Sequence, residues 1–447
     1  MTINEKNRLE NKCNDAVVSI YGDSLPLLVC VRLQRELEFI TTNNYTRVFT
    51  LATDIAEYVK RRGYRITTRG TTGSSLVAYL LGISNVNPLP PHYTCKSCHF
   101  TDFIDYNLLY PKEGYDYPKR LCPACGMIMD SYGADIPLEI IFEKNSFKPD
   151  IFLNVPSSIH KDIINYIKTL YCDEYQFVRA GTSIQKKDGS FFKGVHPGRV
   201  YLVNNNVILS DYTQLRDCAA DDIFQMPITD TDYHDLDKMV KLDHITILSF
   251  PYLDVLCDLE RITGVNLDGI DLSDRKILTL IRREYFSFVP DFYSYQKSNK
   301  IVKEVIDEVD PISFSDIVLI LGLLSGVNTW FNNGEKSVNM GIKSECLISC
   351  RDDIFQELNC LGVDSQKAIA IMKRITQGKG LSDAEESIMK KAGVSSWYID
   401  SCRKIKYLFP KAQLVEYAIM YCRLAYYKAY FPEIFLDVTQ KYTKSEE

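Results

Sequence analysis

The chain lacks a long apolar run and an excess of positive charge. No segment reaches the roughly 20 consecutive apolar residues that a membrane-spanning helix needs, since the best candidate, Ile312–Phe331, contains Asp316 and several polar side chains. The N-terminal residues contain no apolar signal core, so we expect a cytoplasmic protein with no membrane partner. The net charge of −6 at pH 7 excludes attachment to nucleic acid by bulk charge, although a local basic groove stays open.

Internal repeats and low-complexity linkers are also absent. What remains is the composition of an ordinary globular protein, with 447 residues of which 46% are hydrophobic and 25% charged. Such a chain can bury roughly two or three cores. Its 14 cysteines indicate reduced thiols or metal ligands rather than disulfides, because disulfides are rare in cytosolic proteins.

Hydrophobic periodicity predicts a helical beginning followed by short strands. Leu25–Ile40 has apolar residues at mostly three- and four-residue steps, with a proline at its start, and Val48–Arg62 has a glycine directly after it. Both segments are predicted helices. Leu138–Phe142 and Asp150–Val155 are predicted strands, and from about residue 244 the chain is predicted to be mostly helical.

Two Cys-x-x-Cys pairs flank a segment rich in Pro, Tyr, Cys and Gly. The pairs are Cys95 with Cys98 and Cys122 with Cys125, inside the stretch 83–136. This spacing is typical of a closed structural zinc site, and four thiolate ligands leave no open position for catalysis. The alternative is a loop with four reduced cysteines. We expect zinc to stabilise the fold of this segment and to take no part in catalysis.

A glycine-spaced turn, Arg69–Ser75, is a candidate phosphate-binding element. Its backbone amides and hydroxyls can cradle a triphosphate, and the arginine adds positive charge. The alternative is a tight strand-to-helix turn without a ligand, because glycine-rich turns are frequent.

A series of short motifs runs in a distinctive order from Tyr21–Pro26 to about Pro432. The motifs between these ends are Arg32–Leu37, Arg69–Leu76, Val86–Tyr93, Asp135–Pro137, Arg179–Thr182, Gly194–Gly198, Lys241–Asp243, Cys350–Ile354, Gly378–Leu381 and Trp397–Cys402. Their order and their residues resemble the catalytic core of PolC-type DNA polymerase III α subunits, the C-family replicases of Gram-positive bacteria.

The resemblance implies an α+β fold built on a nucleotidyltransferase-β-like palm. The implied parts are 1–82, palm with the triphosphate-facing turn; 83–136, the zinc-binding insertion; 137–155, palm strands; 156–235, a shortened thumb; 236–250, a palm strand with Asp243; and 251–447, all-helical fingers. The exonuclease, oligonucleotide-binding, polymerase-and-histidinol-phosphatase and clamp-binding regions of the family have no room in this chain.

The resemblance also implies a metal site that has lost one ligand. Asp150 and Asp243 match two of the family's catalytic carboxylates, whereas Phe152 stands where the second of an Asp-x-Asp pair is expected. Two magnesium ions about 3.5–4 Å apart need such bridging carboxylates, and magnesium takes oxygen ligands. An aromatic ring at position 152 therefore counts against magnesium, while the four cysteines coincide with the family's zinc ligands.

Further residues are implied to face the nucleotide. They are Arg69, Gly70, Gly73, Ser74, Ser75, Lys404, Lys411 and Tyr417. One segment among them departs from the family, which has a His and three alanines in place of Gln413–Glu416. We expect Leu414, Val415 and Glu416 to crowd or repel a nascent base pair.

These features lead to three hypotheses. The first is a catalytically inactive or impaired polymerase core that binds primer-template DNA, dNTP, or a replisome or phage replication protein, as a decoy or regulator. The second is an active DNA-directed DNA polymerase of a mobile element, in which another carboxylate beside Asp150 and Asp243 completes the site. The third is a decaying gene fragment, which predicts poor folding.

Overall fold

The computed structural model describes residues 3–104, 113–142, 150–185, 190–218, 222–289 and 299–443. Parts of the predicted zinc insertion (105–112) and of the predicted palm strands (143–149) lie outside these residues. Within the described ranges, no helix has the length and apolar character needed to cross a bilayer.

The described chain combines a long helical half with two sheets. The helices are α1 (Ile3–Tyr21), α2 (Leu27–Thr42), α3 (Thr46–Arg61), α4 (Leu76–Leu80), α5 (His160–Tyr171), α6 (Tyr233–Met239), α7 (Tyr252–Thr263), α8 (Arg275–Glu284), α9 (Asn299–Val309), α10 (Phe314–Ser325), α11 (Glu335–Asn339), α12 (Arg351–Cys360), α13 (Ser365–Thr376), α14 (Asp383–Lys391), α15 (Ser396–Lys404), α16 (Lys411–Tyr430) and α17 (Pro432–Thr443). The strands are β1 (Thr67–Arg69), β2 (His92–Thr94), β3 (Thr101–Phe103), β4 (Arg120–Leu121), β5 (Ile128–Tyr132), β6 (Ile151–Val155), β7 (Tyr175–Gln185), β8 (Phe191–Asn204), β9 (Leu215–Arg216), β10 (Ile228–Asp232) and β11 (Asp243–Ser249). The predicted α+β class is confirmed at this level.

The two helices predicted before residue 65 are confirmed. α2 begins directly after Pro26, whose fixed φ suits the entry to a helix, and α3 ends shortly before Gly63, which has a φ of +79°. A residue in the left-handed region ends a helix, and glycine adopts it without strain.

One of the two predicted strands is wrong. Leu138–Ile140 forms a 3₁₀ turn after Pro137, whereas the second segment is the strand β6. The apolar side chains of Leu138, Ile140, Ile141 and Phe142 are all buried. A short continuous apolar run does not distinguish a strand from other buried structure.

The larger sheet has seven strands in the order β1-β6-β11-β8-β7-β10-β9. Its centre is mixed, because β6 and β11 run parallel while β11 and β8 run antiparallel. The tract 156–235, which the resemblance assigns to a thumb, contributes β7, β8, β9 and β10 to this same sheet.

The two faces of this sheet carry different kinds of side chain. Ile151, Leu153, Ile245 and Ile247 pack in the core shared with α1 to α5, in which Phe49 is fully buried. The opposite face carries Asp150, Phe152, Arg199, His244 and Thr246, because side chains alternate between faces along a strand. Polar groups thus collect on one face.

A second core unites the helices after residue 250, and a second sheet carries the cysteines. The helical core is centred on α10 and on α16, which lies against the edge strand β1. The smaller sheet has the order β3-β2-β5-β4 and spans the predicted zinc insertion.

Candidate functional site

The register of three strands places the candidate catalytic residues. Thr246 on β11 pairs with Phe152 on β6 and with Arg199 on β8, and His244 pairs with Tyr201. Residues paired in this way share a face of the sheet. The polar face therefore holds a row of side chains from β6, β11 and β8.

Arg199 holds the carboxylate of Asp150. Its Nη2 donates to Asp150 Oδ2, and its Nη1 donates to Asp237 Oδ2 on α6 at 3.0 Å. The Thr246 hydroxyl donates to Asp150 Oδ1 at 3.4 Å, and His244 Nε2 lies 3.5 Å from the same oxygen. The charge that neutralises Asp150 thus comes from the protein itself.

Burial and the neighbouring charges together set the charge states of this network. Burial alone would lower the pKa of Arg199, but Asp150 and Asp237 outweigh it and raise that pKa above its ordinary value. Burial, assisted by the nearby guanidinium, lowers the pKa of His244, and the same two causes lower the pKa of His196 to about 4. Both imidazoles are neutral at pH 7, and Arg199 supplies the positive charge between the two carboxylates.

Phe152 is half-buried on the same face, beside the candidate phosphate turn. A Cβ placed on Gly70 would lie 3.7 Å from Phe152 Cδ2, so the ring lies against that glycine. Position 152 thus carries an apolar ring next to Asp150. A benzene ring offers no ligand to a hard cation.

Asp243 lies on the opposite face of the sheet. It pairs with Leu202, whose neighbours belong to the core with α3, and its Oδ2 is 3.6 Å from Arg47 Nη1 of that helix. The structure therefore does not bring Asp150 and Asp243 together. The acidic side chain that joins the Asp150 network is Asp237, and the arrangement does not fit a pair of magnesium ions.

The candidate phosphate turn is occupied by side chains of the chain itself. The Gly70 amide donates to Gln413 Oε1 of α16 at 2.8 Å. A Cβ on Gly73 would lie 3.3 Å from Ala412 Cβ, so the same helix packs closely on the turn. The Phe152 amide donates to the Thr72 hydroxyl at 3.0 Å.

The serine-containing end of the turn leads into α4, and the Glu36 carboxylate accepts the hydrogen bonds of the groups at this helix start. The Ser75 hydroxyl and the amides of Leu76 and Val77 donate to this buried carboxylate at 2.7–3.1 Å. Arg32 pairs with Glu36 and donates to the Ser74 carbonyl at 2.7 Å. Because Ser74 and Ser75 are fully buried, these groups form a helix start and not an open cradle.

Glu416 anchors α16 to the edge strand β1 and to the segment after α4. Its Oε1 accepts from the hydroxyls of Thr68 and Ser84 and from the Asn85 amide at 2.8–2.9 Å, and its Oε2 accepts from Asn85 Nδ2 at 3.0 Å. Leu414 and Val415 are buried in the helical core. These three side chains point into the protein.

Of the remaining candidate nucleotide ligands, Arg69 and Tyr417 lie at the turn, whereas the side chains of Lys411 and Lys404 lie elsewhere. Arg69 bonds Asn154 at 2.8 Å and lies over the rings of Phe250 and Tyr417, so the structure brings it together with Gly70 and Tyr417. Lys411 is buried, with its Nζ 3.0 Å from Glu113 Oε1.

Lys411 keeps its charge inside the protein. Burial would lower the pKa of Lys411, but the Glu113 carboxylate reverses this and raises it. Lys404 is exposed at the end of α15. It is therefore the candidate lysine that solvent reaches.

The four cysteines converge as the spacing predicts. Their sulfur atoms all lie within 4.8 Å of one another, with Cys95 and Cys125 at 3.4 Å and Cys98 and Cys122 at 3.5 Å. Four thiolates around one zinc at about 2.3 Å would be about 3.8 Å apart. The site fits a tetrahedral metal that would join β2 and β3 to β4 and β5.

Comparisons with known proteins agree with the motif resemblance. A family model described as the bacterial DNA polymerase III alpha NTPase domain matches residues 7–193. DNA polymerase III PolC-type of Caldanaerobacter subterraneus subsp. tengcongensis is 34% identical over 93% of this chain, and that of Clostridium perfringens is 32% identical over 96%. The chain belongs to the PolC-like family. It spans about a third of these relatives, covering 32% of the length of each.

Several residues of this PolC-like site were not found by sequence reasoning. Arg199, Asp237, His244, Glu36 and Arg47 gave no separate signal, because an Arg, Asp, Glu or His in isolation is typical of a solvated surface. Arg199 directly follows the Gly194–Gly198 motif, yet only its pairing with Thr246 places it beside Asp150.

Proposed function

We propose that the chain is a PolC-like polymerase core without two-metal nucleotidyl transfer, and that it acts as a binder of primer-template DNA in replication. In this proposal β1, β6 and β11 belong to the palm, the tract 156–235 is a shortened thumb whose strands extend the same sheet, and the helices after residue 250 are the fingers. The zinc insertion, at 83–136, is a structural staple held by Cys95, Cys98, Cys122 and Cys125.

The surroundings of Asp150 are the main support for the proposed loss of catalysis. Its carboxylate is bonded to Arg199, Phe152 lies on the same face, and Asp243 lies on the other face. A two-metal reaction uses carboxylates to hold both ions against the attacking and leaving oxygens. Without them, several kcal/mol of transition-state stabilisation are lost.

The support for DNA as the ligand is a group of exposed lysines on the helical half. Lys379 lies between two glycines, and a Cβ on Gly378 would be 2.8 Å from the Lys406 carbonyl. Lys404 and Lys406 are exposed nearby, next to the half-exposed Tyr407. Lysines contact phosphates independently of sequence, and an aromatic ring can stack on a base.

Primer extension tests the loss of catalysis. A recessed primer-template, all four dNTPs and either magnesium or manganese are supplied to the native protein, Asp150→Ala and Phe152→Asp. We expect no extension by the native protein. Extension that disappears in Asp150→Ala would reject the proposal and establish a working polymerase with a different metal site.

DNA binding is measured separately by fluorescence anisotropy at several salt concentrations. We expect binding whose salt dependence decreases by roughly 2 in log–log slope in Lys404→Ala/Lys406→Ala, because each lysine–phosphate contact contributes about 0.9. Lys428→Ala, on a distant part of α16, is the matched control and should leave the slope unchanged. Absence of any binding to primer-template DNA by the native protein would contradict this part of the proposal.

A further inference from the structure

We propose that the Arg199 guanidinium is a built-in substitute for a divalent cation, and that Asp150, Asp237 and His244 form a latent transition-metal site that opens when Arg199 is removed. This inference rests on the proposed loss of two-metal catalysis at the same face of the sheet. It goes further, because it assigns a ligand class to a set of residues that shares only Asp150 with the family carboxylates.

Three potential ligands from separate elements converge on one guanidinium. Asp150 precedes β6, Asp237 lies on α6 and His244 lies on β11, and Arg199 reaches all three. His244 Nε2 is 3.4 Å from Arg199 Nη2 and 3.5 Å from Asp150 Oδ1. Two carboxylates and an imidazole around one positive centre are a donor set that transition metals accept.

Burial makes this arrangement depend on a cation. The side chain of Arg199 is 7% exposed, those of Asp150 and Asp237 are each 22% exposed, and that of His244 is 9% exposed. Two carboxylates so close together repel each other when no positive charge lies between them. Among the described residues, Arg199 Nε has no hydrogen-bond partner, so the polar contacts of the guanidinium are made by its two terminal nitrogens.

The surroundings position both the cation and the carboxylates. The guanidinium carbon of Arg199 lies 4.4 Å from the centre of the Tyr233 ring, and the Tyr201 hydroxyl donates to Asp237 Oδ1 at 2.9 Å. The His196 ring accepts the Arg199 amide at 2.9 Å through Nδ1. Because the substitute cation is covalently part of the chain, it cannot diffuse away, and a metal ion must displace the Arg199 side chain before it can bind Asp150 and Asp237.

Manganese is the probe that separates this site from the zinc site. Mn²⁺ accepts carboxylate and imidazole ligands, whereas the cysteine cluster prefers a soft or borderline metal. Binding is read from the loss of the free Mn²⁺ signal in electron paramagnetic resonance, with zinc-loaded full-length protein and without DNA or nucleotide. The result is therefore independent of primer extension.

We expect no detectable Mn²⁺ binding by the native protein at this site, and binding by Arg199→Ala at least about tenfold tighter than the weakest affinity that the titration can detect, a difference that corresponds to about 1.4 kcal/mol. Arg199→Ala/Asp237→Asn should lose the gain. Arg199→Lys, which keeps a cation, should stay closed. Arg179→Ala is the matched control, because Arg179 is also a buried arginine paired with one carboxylate, Asp222.

Two results would overturn the inference. The first is a folded Arg199→Ala that binds Mn²⁺ no better than the native protein or than Arg179→Ala. The second, which holds even when Arg199→Ala does not fold, is Mn²⁺ binding by the native protein that disappears in Asp150→Asn. Extension of a primer by the native protein would instead reject the proposed function, whatever the Mn²⁺ titration shows.

Discussion

The role predicted for Glu416 from the sequence differs from the role that it has in the structure. As a departure from the family's alanines it suggests repulsion of a base pair, but its carboxylate accepts four hydrogen bonds inside the protein. Burial raises the pKa of Glu416, and the bonds from Asn85, Ser84 and Thr68 oppose that shift. The residue thus joins α16 to β1 and to the segment after α4.

Removing this carboxylate should be costly. Glu416→Ala removes the acceptor of four hydrogen bonds, two of them from the buried hydroxyls of Thr68 and Ser84, and we expect the free energy of unfolding to fall by about 3–5 kcal/mol. Glu416→Gln keeps one carbonyl oxygen and should lose less. Urea unfolding followed by circular dichroism measures both, and Lys428→Ala at the far end of α16 should change the stability by less than about 0.5 kcal/mol. An equally small loss in Glu416→Ala would show that the four bonds are not made.

At the scale of elements, the smaller sheet is the part whose stability we expect to depend on a metal ion. β2, β3, β4 and β5 are short, and the hydrophobic cluster there includes Tyr93, Cys95, Cys122 and Met129. So small a cluster supplies little burial energy, and a metal adds folding energy directly.

Cys98→Ser should release the metal. Cys98 is exposed, so the substitution removes a ligand with little change in packing, and we expect loss of bound zinc and faster proteolysis within 92–132. Zinc released by denaturation is measured with a chromogenic chelator. Cys346→Ser replaces another exposed cysteine outside the cluster and should retain full zinc content. Zinc that stays bound in Cys98→Ser would contradict the four-thiolate site.

For the whole molecule, neutral buried histidines predict sensitivity to acid. Burial lowers the pKa of His92 and of His160 to about 4. His92 Nδ1 lies 2.7 Å from the Pro90 carbonyl and must donate to it, which leaves Nε2 to accept from the Tyr21 hydroxyl at 3.1 Å. Protonation would place a second donor where an acceptor is needed.

Stability should therefore fall as pH falls from 6.5 toward 4. In that window the unfolded chain binds protons that the folded chain does not, so each of these histidines lowers the free energy of unfolding by about 2 kcal/mol near pH 4.5. Urea midpoints at several pH values measure the slope. His160→Gln should reduce it, whereas His234→Gln, at an exposed position, should not. A flat profile between pH 7 and 5 would contradict the prediction.

Local sequence was sufficient for features decided by neighbours along the chain. α2 and α3 follow from the spacing of their apolar residues, and the cysteine pairs follow from the two-residue spacing of their ligands. The failure at Leu138–Phe142 has the opposite cause. Its four apolar side chains are all buried, and only the packing around them selects a turn instead of a strand.

The amino-acid sequence alone determined the family, the α+β class, the cysteine cluster and the phenylalanine at position 152. Tertiary structure decided which charges meet. Arg199 is 49 residues from Asp150 along the chain, and the two meet because β8 and β6 both flank β11. A shift of one residue in that pairing would exchange Asp243 for His244 on the polar face, because neighbouring side chains of a strand point to opposite sides.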